Sequence, residues 1–253
     1  MLAVLLVVST CCLAEAPQTR RHQTRAAYPE PEAAAVWRSL GASYVRKAVK
    51  DNRLDQDPAF NARINAVISA IGRAAATLYP RYAGASWRAL LIDDFGHGAV
   101  AFPGGTVLVD ANFVRQLEMT DDELALLLAH EVAHVVADHP SEKLSFVAAA
   151  LGKDRAPTAG SALHAFFTAD TYAILFQPTA RLQEREADAI GAAILVASGY
   201  DSSRALQLFD KLAKLEHGNG GHETATHDAA GVRQKAVSQV IDGLRRESPR
   251  PAR

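Results

Sequence analysis

The sequence predicts an α+β domain, mostly helical, with a small β-sheet beside one histidine-bearing helix. Three observations carry this. Apolar residues recur at helical spacing, as in Phe60, Ile64, Val67, Ile68 and Ile71. Only two short segments, residues 87–93 and 106–110, alternate or run apolar as strands do, and Gly96, Gly98, Gly104 and Gly105 lie between them. Shortly after the second strand, an apolar run leads into His130-Glu-Val-Ala-His134.

Residues 1–16 read as a secretory leader. Positions 2–13 are apolar but shorter than a membrane span, and Ala14-Glu15-Ala16 has the small-x-small form of a cleavage site. No Lys or Arg precedes the apolar core, which points to a start upstream. Both cysteines, Cys11 and Cys12, fall in this leader, so the mature chain is expected to hold no disulfide and no thiolate ligand. Lipid attachment at Cys11 is the alternative, although Val8-Ser9-Thr10 is a poor motif for it. Residues 17–29 read as a mobile polar linker, 30–246 as a single domain and 247–253 as a polar tail.

Pro31 marks a first helix running to about Lys50, with Val36, Leu40, Tyr44 and Val45 inward; the series from Phe60 marks a second. The next helix is announced by Thr120-x-x-Glu123, a capping box, with Asp121 and Asp122 in the first turn where the helix dipole favours anions. His130 and His134 stand four apart, so on a helix both imidazoles leave one face and can share a metal. Glu131 is close enough to serve as base for water activated by that metal. This is the zinc-hydrolase pattern His-Glu-x-x-His. The competing reading is a pair of core histidines satisfied by hydrogen bonds.

Catalytic zinc sites usually have three protein ligands and one open position. Pro178-Thr179 reads as the start of a helix over 180–198, closed by Gly199. In it Glu184 and Asp188 share one face. Glu184 could bind zinc while Asp188 hydrogen-bonds the far nitrogen of a ligand histidine. Glu186 points elsewhere, about 160° away. The alternative is a solvated acidic face partnered by Arg181 and Arg185. His139 precedes Pro140 and follows no glycine turn, so it reads as a helix C-terminal residue near the last carbonyls and not as a ligand.

Residues 141–178 are the least determined segment: core helices over the site, or a lid or membrane-touching surface. Asp201 is expected to cap a helix carrying Leu206, Phe209, Leu212 and Leu215. The loop Gly218-Asn-Gly-Gly-His-Glu-Thr leads to His227, and a last helix carries Val232, Val237, Val240 and Leu244. The chain holds 27 basic and 28 acidic residues. That balance excludes a basic field for nucleic acid.

Several blocks between about residues 40 and 244 resemble the HtpX-like and CAAX-prenyl-protease-like zinc endopeptidases of peptidase family M48, most clearly its small periplasmic members. Gly98-Ala-Val-Ala-Phe-Pro-Gly-Gly-Thr-Val-Leu-Val is similar to the family's strand pair. His130-Glu131-Val-Ala-His134 is similar to its metal helix. Arg181-Leu-Gln-Glu184-Arg-Glu-Ala-Asp188-Ala-Ile-Gly191 matches its acidic block, with Ala180 in place of a serine. Thr226-His227-Asp-Ala-Ala-Gly-Val-Arg233 resembles Thr-His-Pro-x-x-x-x-Arg, with Asp228 in place of the proline; Asp228 is itself a good N-cap.

The resemblance implies a zincin-like (gluzincin) fold and a periplasmic location. It implies that His227 is a reversible fourth ligand or a donor to the tetrahedral intermediate, and that Arg233 braces the site or the oxyanion. With it, the chain is expected to be a zinc endopeptidase holding one zinc ion on His130, His134 and Glu184, with Glu131 as general base. Ala99, Val100, Ala101 and Phe102 are expected to bind extended polypeptide substrate as an added strand. Such binding suits quality control of unfolded or membrane-associated proteins. The rival expectation is an envelope chaperone or assembly factor with weak or latent proteolysis.

Overall fold

The computed structural model of the chain describes residues 26–152, 154–218 and 228–247. The expected leader with Cys11, most of the expected linker, His227 and the tail from residue 248 lie outside the described residues.

Two helices come first, α1 (Glu30–Lys50) and α2 (Pro58–Leu78). Both carry proline in the first turn, where its missing N–H is no loss. Asp57 caps α2 by accepting from the amides of Ala59 and Phe60. Three strands follow, β1 (Arg88–Ile92), β2 (Ala99–Phe102) and β3 (Thr106–Asp110), in the order β1-β3-β2. β1 runs parallel to β3, and β2 folds back antiparallel on it. Then come α3 (Ala111–Gln116), α4 (Asp121–Val136), α5 (His139–Leu151), α6 (Ala159–Thr168), α7 (Asp170–Ser198), α8 (Ser202–Ala205), α9 (Gln207–Gly218) and α10 (Ala230–Glu247). The fold is therefore mostly helical with one small sheet, as the periodicities predict.

The sheet is buried on both faces, and its alternation divides the core. Ala89, Leu91, Ala99, Ala101, Val107 and Val109 face one apolar cluster, built with α2, α4, α7 and α10. Leu90, Ile92, Val100, Phe102 and Leu108 face the other, with α1, α5 and α6. A strand covered on both sides reads as a continuous apolar run, as Val107-Leu108-Val109 does. β2 is an edge strand, because β3 lies on only one side of it.

Pro178 does not start a helix, contrary to the sequence expectation; it lies inside α7, which begins at Asp170. A proline in a helix forfeits one hydrogen bond and crowds the preceding turn. Here the stretch before it is held by tertiary packing. Phe176 is buried, with its ring 5.1 Å from Phe146 and 5.8 Å from Phe166. Residues 141–178 accordingly form α5, α6 and the first part of α7. The described end of the expected linker is docked: the Tyr28 hydroxyl donates to Ala156 O at 2.6 Å, and the Ala27 amide donates to Ser145 Oγ at 3.1 Å. The helix expected after Asp201 is capped by that residue but breaks at Leu206 into α8 and α9. Val232 on the last helix is exposed, and Val237 and Ile241 carry its buried face.

Candidate metal centre and cleft

The capping box at the start of α4 forms as the sequence predicts. The Thr120 hydroxyl accepts from the Glu123 amide, and the Glu123 carboxylate accepts from the Thr120 amide at 2.7 Å. Such a cap contributes about 1 kcal/mol and defines where the helix begins. Glu123 is buried and meets Lys211 of α9 at 2.7 Å, which joins the cap to the C-terminal helices.

Three turns later α4 runs against α7 at close range. A Cβ on Gly191 would lie 3.0 Å from the His130 backbone, so glycine permits this approach. It brings together groups 54 residues apart in sequence. His130 Nε2 lies 3.1 Å from Glu184 Oε2 and 3.1 Å from His134 Nε2. His134 Nε2 lies 3.5 Å from Glu184 Oε1. These three residues are the group of potential metal donors among the described residues.

The donor chemistry fits a metal. Each histidine is held through its other nitrogen. His130 Nδ1 donates to Asp188 Oδ1 at 2.9 Å, and His134 Nδ1 pairs with His139 Nδ1 at 2.9 Å. The two Nε2 atoms thus turn toward each other and toward a carboxylate, an arrangement that repels unless a cation shares it. Two donors bound at about 2.0–2.1 Å to one tetrahedral zinc stand roughly 3.3–3.4 Å apart, close to these spacings. The electrostatics agree. Burial disfavours a charged His130, yet the Asp188 and Glu184 carboxylates outweigh it and push its pKa up to about 10. A field that favours positive charge on His130 also attracts a metal cation. His134, by contrast, is held below its ordinary value by burial.

Asp188 is enclosed by its partners. Burial opposes its charge, but hydrogen bonds from His130 and Arg233 lower its pKa to about 2. Arg233, from α10, donates through Nε to Oδ2 at 3.0 Å and through one terminal nitrogen to Oδ1 at 2.8 Å. Asp228 does not cap α10 as expected. Its carboxylate takes two bonds from Arg185, at 2.7 and 3.2 Å, and the Ala229 carbonyl accepts from the amides of Val232 and Arg233.

His139 is placed differently from the sequence expectation. Asp138 adopts a left-handed conformation (φ 64°) that ends the α4 segment, and His139 is the first residue of α5, not the last of α4. The turn folds its ring back onto His134, 3% exposed. His139 Nε2 faces Glu186 Oε2 at 3.6 Å. Glu186 points away from the three donors, as its helical phase predicts, but it is largely enclosed beside His139 rather than fully solvated. Sequence reasoning missed this pair because His139 lies five residues from His134, a spacing no straight helix brings together.

Glu131 faces the sheet edge. Asp110 donates to Gly98 O, so the bonded pairs of the antiparallel ladder alternate from there and leave the backbone groups of Ala99 and Ala101 outward. The Ala101 amide points to Glu131 Oε2 at 3.4 Å. A cleft of about 810 Å³ opens along this edge, lined by Ala99, Val100 and Ala101 above and by His130, Glu131, His134 and Glu184 below. Phe102 is buried against the α1 side and does not line it. Trp37, Lys143 and Phe176 wall one end of the cleft, and Phe209 and Leu212 the other.

The description "Peptidase family M48" matches residues 57–241. The chain is 29% identical to the mitochondrial metalloendopeptidase OMA1 of Arabidopsis thaliana over 163 residues, 62% of this chain and 32% of that protein. It is 28% identical to the protein of the same name from Schizosaccharomyces pombe over 162 residues, 61% of this chain and 47% of that one. It is 30% identical over 134 residues to a Vibrio cholerae protein described as a beta-barrel assembly-enhancing protease, 49% of this chain and 28% of the relative. The chain thus spans a third to a half of the length of its first two relatives.

Proposed function

Because the chain belongs to peptidase family M48, we propose that it is a zinc-dependent endopeptidase acting on extended or misfolded polypeptide. The observation that carries this is the convergence of His130, His134 and Glu184 beneath an open strand edge, with Glu131 between them. His130, His134 and Glu184 would hold one zinc ion per chain. When bound, zinc supplies a Lewis acid that polarises a carbonyl and acidifies water. Glu131 takes the proton as water attacks the peptide carbonyl and delivers it to the leaving amine. Asp188 keeps His130 in the tautomer that turns Nε2 to the metal, and Arg233 braces Asp188.

Substrate backbone pairs with the outward groups of Ala99 and Ala101, while Val100 and Phe102 hold the strand in the core. Strand addition reads backbone rather than side chains, which suits unfolded chains and quality control. On the family resemblance, His227 would act near the zinc as a resting ligand or as a donor to the oxyanion.

The periplasm is the proposed compartment, on the leader-like start of the sequence. Among the described residues no helix is long and apolar enough to cross a membrane. Phe167, Ile174 and Leu175 are exposed on α6 and α7, which supports peripheral membrane contact through residues 141–178. An assembly role with weak or latent proteolysis is the second reading, favoured by the likeness to the Vibrio cholerae protein described as a beta-barrel assembly-enhancing protease.

The test is casein digestion by the purified mature chain, with and without chelator and with zinc restored. Glu131→Gln should keep metal and fold but lose about 10²–10⁴-fold or more in turnover. Cleavage that survives both chelation and Glu131→Gln would refute the reading.

A further inference from the structure

Lys143 lies in the active-site cleft and, among the described residues, forms no ion pair with a carboxylate. It rises from α5 into the wall formed by α1, α6 and α7. Its Nζ lies 5.5 Å from the ring centre of Trp37, 5.1 Å from Phe166 and 5.6 Å from Phe176. Three aromatic faces at this range attract an ammonium electrostatically. They do not accept its three N–H bonds as oxygen lone pairs do. Among the described residues no oxygen forms a hydrogen bond or ion pair with Lys143. The carboxylate whose field reaches it is Glu184, which is committed to the metal donors. Burial pushes the lysine pKa down from its ordinary value, and the field of Glu184 opposes that.

A structural lysine of this kind would gain by turning to solvent, since its stem is long and its head strongly hydrated. This one lines the cleft instead, in the same wall as His134 and Glu184. An incoming carboxylate would supply the missing acceptor in a partly desolvated site, where charge-assisted bonds are strongest. We propose that Lys143 is a specificity residue, and that it selects peptides placing a carboxylate within about three residues of the cleaved bond. The aromatic cage fixes the ammonium, so recognition falls on one side of the cleft and leaves the backbone pairing at β2 unchanged. The inference rests on the endopeptidase reading of the same site.

The experiment uses quenched fluorescent peptides built around a bond that the zinc-loaded wild type cleaves. Glu and Gln versions are compared at each of three positions on either side, all amidated at the C-terminus. A free-acid version of the Gln peptide separates a side-chain carboxylate from a terminal one. Wild type is expected to favour one acidic version by about tenfold or more in kcat/KM. Lys143→Met should bring that ratio to about one whatever its effect on the Gln peptides, Lys143→Arg should keep it, and Lys143→Glu should favour a Lys peptide at the same position. Equal ratios in wild type and Lys143→Met at every position overturn the proposal.

Binding of the same peptides to zinc-loaded Glu131→Gln, read by fluorescence anisotropy, separates the two claims. If wild type cleaves no peptide, the endopeptidase reading falls. The acidic-to-neutral binding ratio, with and without Lys143→Met, then still decides the subsite.

Discussion

Arg233 and Asp188 form a two-point ion pair across α10 and α7, at 2.8 and 3.0 Å, and the same carboxylate holds His130 Nδ1 at 2.9 Å. The last helix therefore reaches the candidate metal centre through Asp188 and not through the His130 Nε2 that faces the other donors. Arg233→Ala should leave Asp188 buried with one partner fewer. We expect a stability loss of about 3–5 kcal/mol, the scale for breaking a buried pair, and weaker zinc binding. Arg233→Lys should recover part of the stability and little of the affinity, because an ammonium does not make the two-point contact. Denaturant melts and competition against a zinc chelator measure both. Unchanged zinc affinity in Arg233→Ala would separate the brace from the metal centre.

His139 is predicted to act through His134. With the His134 Nδ1–H donated to His139, Nε2 is left as the metal-facing atom. His139→Ala should weaken zinc binding by about 10–100-fold, the usual scale for a residue hydrogen-bonded to a metal ligand. His139→Asn, whose amide oxygen can accept the same proton, should restore a measurable part. Isothermal titration with zinc reads the difference, and equal affinity in all three proteins would leave His139 a packing residue.

Gly191→Ala is predicted to damage the centre from outside it. The added methyl meets the His130 backbone at 3.0 Å and must push α7 away from α4. Overpacking of this kind costs about 1–3 kcal/mol. The expected signature is a larger effect on zinc affinity than the melting temperature alone implies, since Glu184 and Asp188 ride on the displaced helix. A variant that melts lower but binds zinc as tightly as wild type would show that the helices accommodate the methyl without moving the ligands.

Substitution of His227 distinguishes its two proposed roles. As a resting fourth ligand it competes with water, and His227→Ala should raise activity on unfolded substrates. As an oxyanion donor its loss should lower kcat by about 10²–10³. Steady-state kinetics on casein-derived peptides decide the sign; an unchanged kcat and zinc affinity would exclude both.

The sequence by itself determined what depends on neighbours along one helix. The Thr120–Glu123 cap, the shared face of His130 and His134, and that of Glu184 and Asp188 all follow from a 3.6-residue period and are found in the structure. Strand segments were legible from local pattern too, since Val107-Leu108-Val109 is a short, β-branched apolar run of the kind a strand covered on both faces shows.

Tertiary structure decided what depends on meetings between distant segments. That Glu184 reaches the histidines rests on a close helix crossing at Gly191, which no local pattern encodes. That α7 runs through Pro178 follows from packing of Phe176, whose burial outweighs one lost hydrogen bond. That His139 serves His134 depends on a single left-handed residue, Asp138, and that Lys143 stands in the cleft depends on three rings from three helices. Local conformational preferences act over one turn, whereas these contacts are fixed by close packing over the whole core.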